Sequence, residues 1–220
     1  MPSPRATTTL LLLPALGLAA AFDTCAAPAT YVLDPVHTRV VLAVDHAGFS
    51  KALGAVSGST GTLQFDPEDW ASAQVEVTVP LDRLDFGDPD WNRATLGRNL
   101  LQAQRHPQAR FVSTRVEAQG ADRAWVYGDL TLRGVTREVR LDVVFNRLER
   151  HPMPPYRRTA GFSAQATLRR SDFGISAWKT LIGDEVELRI EAEATRSGAG
   201  EREATGTEHR QDGHDEGKRP

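Results

Sequence analysis

From Asp184 to Thr195 apolar and charged residues trade places at every step. Val186, Leu188, Ile190 and Ala192 fall on one side of an extended chain, and Glu185, Glu187, Arg189, Glu191 and Glu193 fall on the other. A period of two is what a strand with one dry and one wet face requires; a helix, with its period of 3.6, cannot sort these residues. The stretch from Glu138 to Asn146 repeats the pattern, with Val139, Leu141, Val143 and Phe145 set against Glu138, Arg140 and Asp142. Shorter runs follow it at Val40, Leu42, Val44; at Gly61, Leu63, Phe65; at Val75, Val77, Val79; and at Ala160, Phe162, Ala164, Ala166, Leu168. Arg110 to Val116, and a run on either Trp125 and Tyr127 or their neighbours Val126, Leu130 and Leu132, bring the expectation to about eight strands.

Short links rich in turn residues join most of these runs: Asp66-Pro67-Glu68-Asp69, Gln119-Gly120-Ala121-Asp122, Arg133-Gly134-Val135-Thr136 and Ile182-Gly183-Asp184. Links this short connect antiparallel neighbours, since parallel strands need a crossover of a dozen residues or more. The segment from Gly54 to Gly61 reads as a flexible hairpin turn. The exception is Asp88 to Pro107, where Leu96, Leu100 and Ala103 recur at helical spacing and Asp90 can cap a helix over about 91–104, with Gly97 as its weak point. Eight meandering strands with a common apolar face must hide that face, and one helix covers too little of it. The sheet is therefore predicted to close on itself, giving a mainly β fold: an extended eight-stranded antiparallel up-and-down barrel with one helix in the Asp88–Pro107 connection. Such a barrel has a lumen that side chains fill or that holds one small ligand.

The ends read differently. Residues 1–27 carry Arg5, an apolar run from Leu10 to Ala21 broken by Pro14, and small residues after it, the plan of a secretory signal with cleavage after Ala21 or Ala27. Lipidation of Cys25 is the competing reading, against which Phe22-Asp23-Thr24 lacks the Leu-small-small pattern of bacterial lipoproteins. Residues 197–220 hold no large apolar side chain and read as a disordered polar tail. The domain is thus expected over residues 30–196, exported and with its leader removed.

Little chemistry is written in the chain. Its 26 Lys+Arg against 29 Asp+Glu leave a net charge of -3, which supplies no basic footprint for nucleic acid, and its 1 cysteine allows neither an internal disulfide nor a thiolate zinc cluster. No phosphate-binding glycine loop and no nucleophile elbow occurs, Ser57 and Ser59 lying in the expected turn. His37 and His46, nine residues apart on what reads as one strand, would point to opposite faces about 30 Å apart and could not share a metal. His46 shares the face of Val40, Leu42 and Val44, at the polar end of the lumen. Arg169, Arg170 and Asp172 read as a rim ion pair. Neither catalytic groups nor a metal site nor a cofactor is expected. Such silence suits a lipid carrier: burying a CH₂ group is worth about 0.8 kcal/mol, so an isoprene unit is worth roughly 4 kcal/mol without any special residue.

Five blocks carry a resemblance: TYVLDPVHTRVVLAVDHAGFSKALGAVSGSTGTLQFDP, HPQARFVSTRV, GDLTLRGVTREVRLDVVF, AGFSAQATLRRSDFGI and IGDEVELRIEAE. In this order they resemble the polyisoprenoid-binding YceI-like family. The resemblance implies a lipocalin-like barrel in a Gram-negative periplasm whose apolar channel holds an isoprenoid chain, such as that of a quinone. Thr38 stands where the family usually has Ser, the helix region has Leu100 and Leu101 in place of the family's acidic and aromatic residues, and the Pro-rich HPMPPYRRT reads as peculiar to this branch of it. The lumen positions it implies are Val40, Leu42, Val44, Leu63, Phe65, Val77, Val79, Phe111, Leu130, Leu132, Leu141, Val143, Phe162, Ala164, Leu188 and Ile190, joined by His46. The small residues Ala160, Ala164 and Ala166 suggest room left for a guest. The expected partners are an isoprenoid lipid and no nucleic acid, with transient contact to a membrane or a membrane redox protein and a homodimer left open. Two other readings stay open: an enzyme or stress-response protein acting on a lipid-like substrate through His46 or Asp172, and an outer-membrane barrel.

Overall fold

The computed structural model describes residues 28–198, so the expected signal, Cys25 and most of the expected tail lie outside the described residues. The strands are β1 (Ala29–Leu33), β2 (Arg39–His46), β3 (Ser50–Ser57), β4 (Thr60–Phe65), β5 (Gln74–Pro80), β6 (Leu84–Asp85), β7 (Gln108–Ala118), β8 (Arg123–Leu132), β9 (Val135–Arg150), β10 (Arg158–Arg169) and β11 (Ile182–Arg196). Eight of them close an antiparallel ring in the order β1, β4, β5, β7, β8, β9, β10, β11, and β11 pairs back to β1 through Tyr31↔Arg196, Val32↔Thr195 and Leu33↔Ala194.

The other three prolong the ring. β2 continues the line of β1 along β11, with Leu188 opposite Leu42 and Ile190 opposite Val40; β3 lies on β2 and β6 on β3. Three expected strands are therefore long strands broken once in the middle, and the barrel is the predicted eight-stranded meander. Closure turns every inward residue toward one lumen and leaves Glu187 and Arg189 outside in water. An outer-membrane barrel needs the opposite, an apolar exterior band. Among the described residues no helix is long and apolar enough to cross a membrane.

Several local expectations are corrected. Gly54 to Ser57 belong to β3, which pairs with β2 along its length; the hairpin turn lies at residues 47–49, where Ala47 and Gly48 take φ of 56° and 74°. Period-two reading missed β3 because the glycine at 54 replaces an apolar inward residue. Ile182-Gly183-Asp184 is the start of β11, with a register shift before Val186, and the connection occupies residues 174–181. Val135 and Thr136 have already joined β9.

The helix, α1 (Pro89–Leu96), is shorter than predicted. Asp88, not Asp90, caps it: its Oδ1 accepts from the Asp90 and Trp91 N–H groups, while Asp90 pairs with Arg93. Pro89 fits the first helical position, where no N–H is needed. Gly97 leaves the helix in an extended conformation, and the chain to Pro107 runs in turns that still bury Leu100 against Leu168, Phe173 and Ile175.

One end of the barrel is packed with aromatic rings. Phe65 meets Trp70, Phe145 and Phe162 with ring centroids 5.2 Å apart in each pair, two of the contacts edge-on, the geometry that ring quadrupoles favour. Tyr31, Leu63, Val116, Ala124, Ala160 and Ala194 pack around this plug.

Candidate functional site

Between the plug and the far end lies a cavity of about 560 Å³. β2 lines it with Val40, Leu42, Val44 and His46, β4 with Leu63 and Phe65, β5 with Val77 and Val79, and β7 with Phe111. β8 adds Leu130 and Leu132, β9 Leu141 and Val143, β10 Phe162 and Ala164, and β11 Leu188 and Ile190. The structure thus brings every residue expected to face the lumen onto one wall. The open choice on β8 is settled inward for Val126, Leu130 and Leu132; Trp125 and Tyr127 face out under the guanidinium groups of Arg140 and Arg115. Of the three alanines only Ala164 lines the cavity; Ala160 packs into the plug, and Ala166 is buried without lining it.

Burial varies around the wall. Leu63, Phe65, Phe111, Val56 and Leu168 are buried, whereas Val40, Leu42, Val44, Leu188 and Ile190 are only half-buried although they line the cavity. In a closed barrel an inward apolar side chain stays accessible only if the space in front of it is not filled by other side chains. Interiors are normally packed to a density near 0.75, so the barrel's own side chains leave part of this lumen unfilled.

The far end is the mouth. Sequence reading found none of its aromatic residues: Trp91 from α1, Phe86 from the stretch before it, and Trp178 from the connection 174–181 all line the cavity. Trp91 packs against His46 with ring centroids 5.1 Å apart and planes tilted by 42°, and lies 6.3 Å from Phe86. The side chain of Asn92 fixes α1 to β6, donating to Asp85 at 2.9 Å and accepting from the Phe86 N–H at 2.7 Å. Phe86 lies over Gly54, where a Cβ would come within 2.9 Å of its Cε1, which is why a strand residue there carries no side chain. The Ala47 N–H donates to the Leu181 carbonyl at 2.7 Å, binding the β2–β3 hairpin to the 174–181 connection. Only the aromatic character of residues 86–91, set apart from any alternating run, hinted at a role.

The polar residues singled out in the sequence stand apart from one another. Arg170 is buried and makes no pair with Asp172: its Nε donates to the Gly183 carbonyl at 2.7 Å, Nη1 to those of Ile175 and Ala177 at 3.1 and 2.9 Å, and Nη2 to that of Ile182 at 2.8 Å. Burial pulls its pKa down, and the nearby Asp184 carboxylate works against that. The rim ion pair is instead Arg169 with Asp184, at 3.3 Å. Hydrogen bonds from Ser171 hold the Asp184 carboxyl below the usual range.

His37 lies in the turn between β1 and β2, not on a strand, and its Nδ1 is 2.8 Å from Asp34 Oδ2. The Asp34 bond raises the His37 pKa above the ordinary imidazole value. Partial burial opposes ionisation of Asp34, yet His37 and the Val36 and His37 N–H groups outweigh it and lower the Asp34 pKa. The raised imidazole contributes stability below about pH 6.5 that is lost as pH rises through its folded value; the lowered carboxyl contributes above about pH 4 and loses it as pH falls through its folded value. The turn is thus held most firmly between those limits. By NMR the His37 ring is expected to titrate higher in the parent than in Asp34→Asn, and equal midpoints would remove the pairing. Among the described residues no three His, Cys, Asp or Glu side chains are grouped to hold a metal ion.

A family model described as the YceI-like domain matches residues 31–194, from the first barrel strand to the last. A UPF0312 protein of Pectobacterium atrosepticum is 32% identical over 189 residues, covering 86% of this chain and 97% of that protein. Among solved structures, BcnA of Burkholderia cenocepacia superposes with a TM-score of 0.66 at 26% identity, covering 74% of this chain and 99% of its own. A polyisoprenoid binding domain from Saccharophagus degradans shares the fold with a TM-score of 0.59 at 13% identity, covering 77% and 99%. Barrel, register and matched span agree, and the chain belongs to the YceI-like domain family.

Proposed function

We propose that the chain binds an isoprenoid lipid, a polyisoprenoid or an isoprenoid quinone, in the barrel lumen, and stores or carries it in the periplasm. The observation that carries this reading is the apolar lumen that the barrel's own side chains leave unfilled. Its volume of about 560 Å³ falls within the range of small-molecule sites, roughly 300–1,000 Å³, and its wall is too short of polar groups to orient a polar substrate. Three or four isoprene units at roughly 4 kcal/mol each exceed even a cost of about 10 kcal/mol for association. The polyisoprenoid-binding description of the Saccharophagus domain supports the class of guest, and the leader pattern of residues 1–27 supports the compartment. In this reading Val40, Leu42, Val44, Leu188 and Ile190 touch the tail, and His46 stands where a head group would emerge. No cofactor takes part.

Protein purified without detergent from a native host's periplasm is expected to yield an isoprenoid lipid in near-stoichiometric amount by mass spectrometry of an organic extract. Reproducibly empty protein that also ignores added ubiquinone would overturn the reading.

A further inference from the structure

The mouth of the lumen is ringed by side chains that a protein facing only water would bury. Phe49 is 92% exposed, Leu181 53%, Trp178 45% and Trp91 43%. They come from three separate segments, the β2–β3 hairpin, the 174–181 connection and α1, which the Ala47–Leu181 hydrogen bond and the His46–Trp91 ring contact tie together at one end of the barrel. Trp91, Trp178 and Leu181 also line the cavity, so apolar surface runs without a break from the lumen to the outside. We propose that this rim docks on the surface of a lipid bilayer, with Phe49, Trp91, Trp178 and Leu181 seated among the lipids and the mouth held against them.

Resting on the lipid-binding reading, the proposal supplies the step which that reading lacks. Each CH₂ group drawn through water costs about 0.8 kcal/mol, so a long chain loads at a useful rate only if it passes from one apolar phase directly into another. Tryptophan and phenylalanine are the residues that settle at a membrane interface. The plugged end also exposes apolar side chains, Met153 at 63% and Tyr156 at 52%, but Phe65, Trp70, Phe145 and Phe162 stand between them and the cavity. Charges near the mouth are mixed, Lys51 and Lys179 against Asp45, Asp88 and Asp90, and Lys51 already pairs with Glu187. The rim is therefore fitted to the apolar layer of a bilayer rather than to anionic head groups.

The test uses the mature chain and vesicles of phosphatidylcholine and phosphatidylethanolamine loaded with ubiquinone, read by co-sedimentation and by quinone transfer to the protein, with loading from detergent micelles as a parallel arm. Phe49 does not line the cavity, so Phe49→Asp is expected to load from micelles like the parent while its vesicle partition and transfer rate fall about tenfold or more. Met153→Asp, at the plugged end, is expected to match the parent in every arm. Unchanged sedimentation and transfer by Phe49→Asp overturns the rim. A parent that loads from micelles but ignores vesicles overturns the rim and leaves the lumen reading standing, whereas a parent that loads from neither overturns both.

Discussion

Leu42→Trp combined with Leu188→Trp is expected to leave a folded barrel whose affinity for ubiquinone has dropped about a hundredfold or more. The two leucines are opposite each other on β2 and β11, both line the cavity, and both are half-buried, so two indole groups would occupy the space in front of them. Displacing even one isoprene unit forfeits roughly 4 kcal/mol, more than the 1.4 kcal/mol that each tenfold change requires. Stability decides between a vacant lumen and a packed one. Forcing large groups into a filled core costs about 1–3 kcal/mol or more, while filling a void restores dispersion contacts that its walls lack. The thermal midpoint of the double variant, read by circular dichroism, should equal or exceed that of the parent. A large fall in that midpoint would show that the interior was already full, and unchanged quinone binding by a stable variant would place the guest somewhere else.

The barrel was legible because strand register is written twice in such a chain, once in each face. Val186, Leu188 and Ile190 could face nothing but a common interior once Glu185, Glu187 and Arg189 were given to water, and the same logic placed Leu141, Val143, Leu130 and Leu132. Alternation does not report where a long strand breaks. The turn at residues 34–38, the break at Gly58 and Ser59 and the 3-10 segment Leu81–Arg83 divide three strands without disturbing which residues point inward, so the expected wall survived errors in the expected boundaries. β3 was lost to a turn because Gly54 gives its inward position to Phe86, a contact between residues distant in sequence. The mouth was illegible for the same reason: Trp91, Trp178 and Leu181 follow no period, and only the closed ring brings their segments together. Nor does periodicity tell a packed interior from a vacant one, since the inward residues have the same types in both. That difference lies in volume and needs coordinates.

Arg170 shows how a charge read as a rim group can serve the interior, and its replacement should have the largest effect on stability of any change considered. Arg170→Met keeps most of the side-chain volume but removes the four hydrogen bonds that the guanidinium donates to the carbonyls of Ile175, Ala177, Ile182 and Gly183, gathered from both ends of the 174–181 connection. Charge-assisted bonds of this kind contribute about 1.5–3 kcal/mol each, so losing four would cost more than about 5 kcal/mol if nothing replaced them, and part of that is recovered as water enters the opened loop. A loss of about 3–5 kcal/mol lowers the midpoint of a domain this size by about 10 °C. Arg170→Lys should lie between the two, because one ammonium cannot span four acceptors that a planar fork reaches at once. The damage should be local before it is global. Amides of residues 174–181 are expected to lose protection from hydrogen exchange in Arg170→Met while the amides of β8 and β9 keep theirs, and Trp178 and Leu181, carried by that connection, should leave the mouth with it. A cost under about 1 kcal/mol with unchanged exchange would mean that the four carbonyls find other donors, and that something other than this guanidinium holds the mouth in shape.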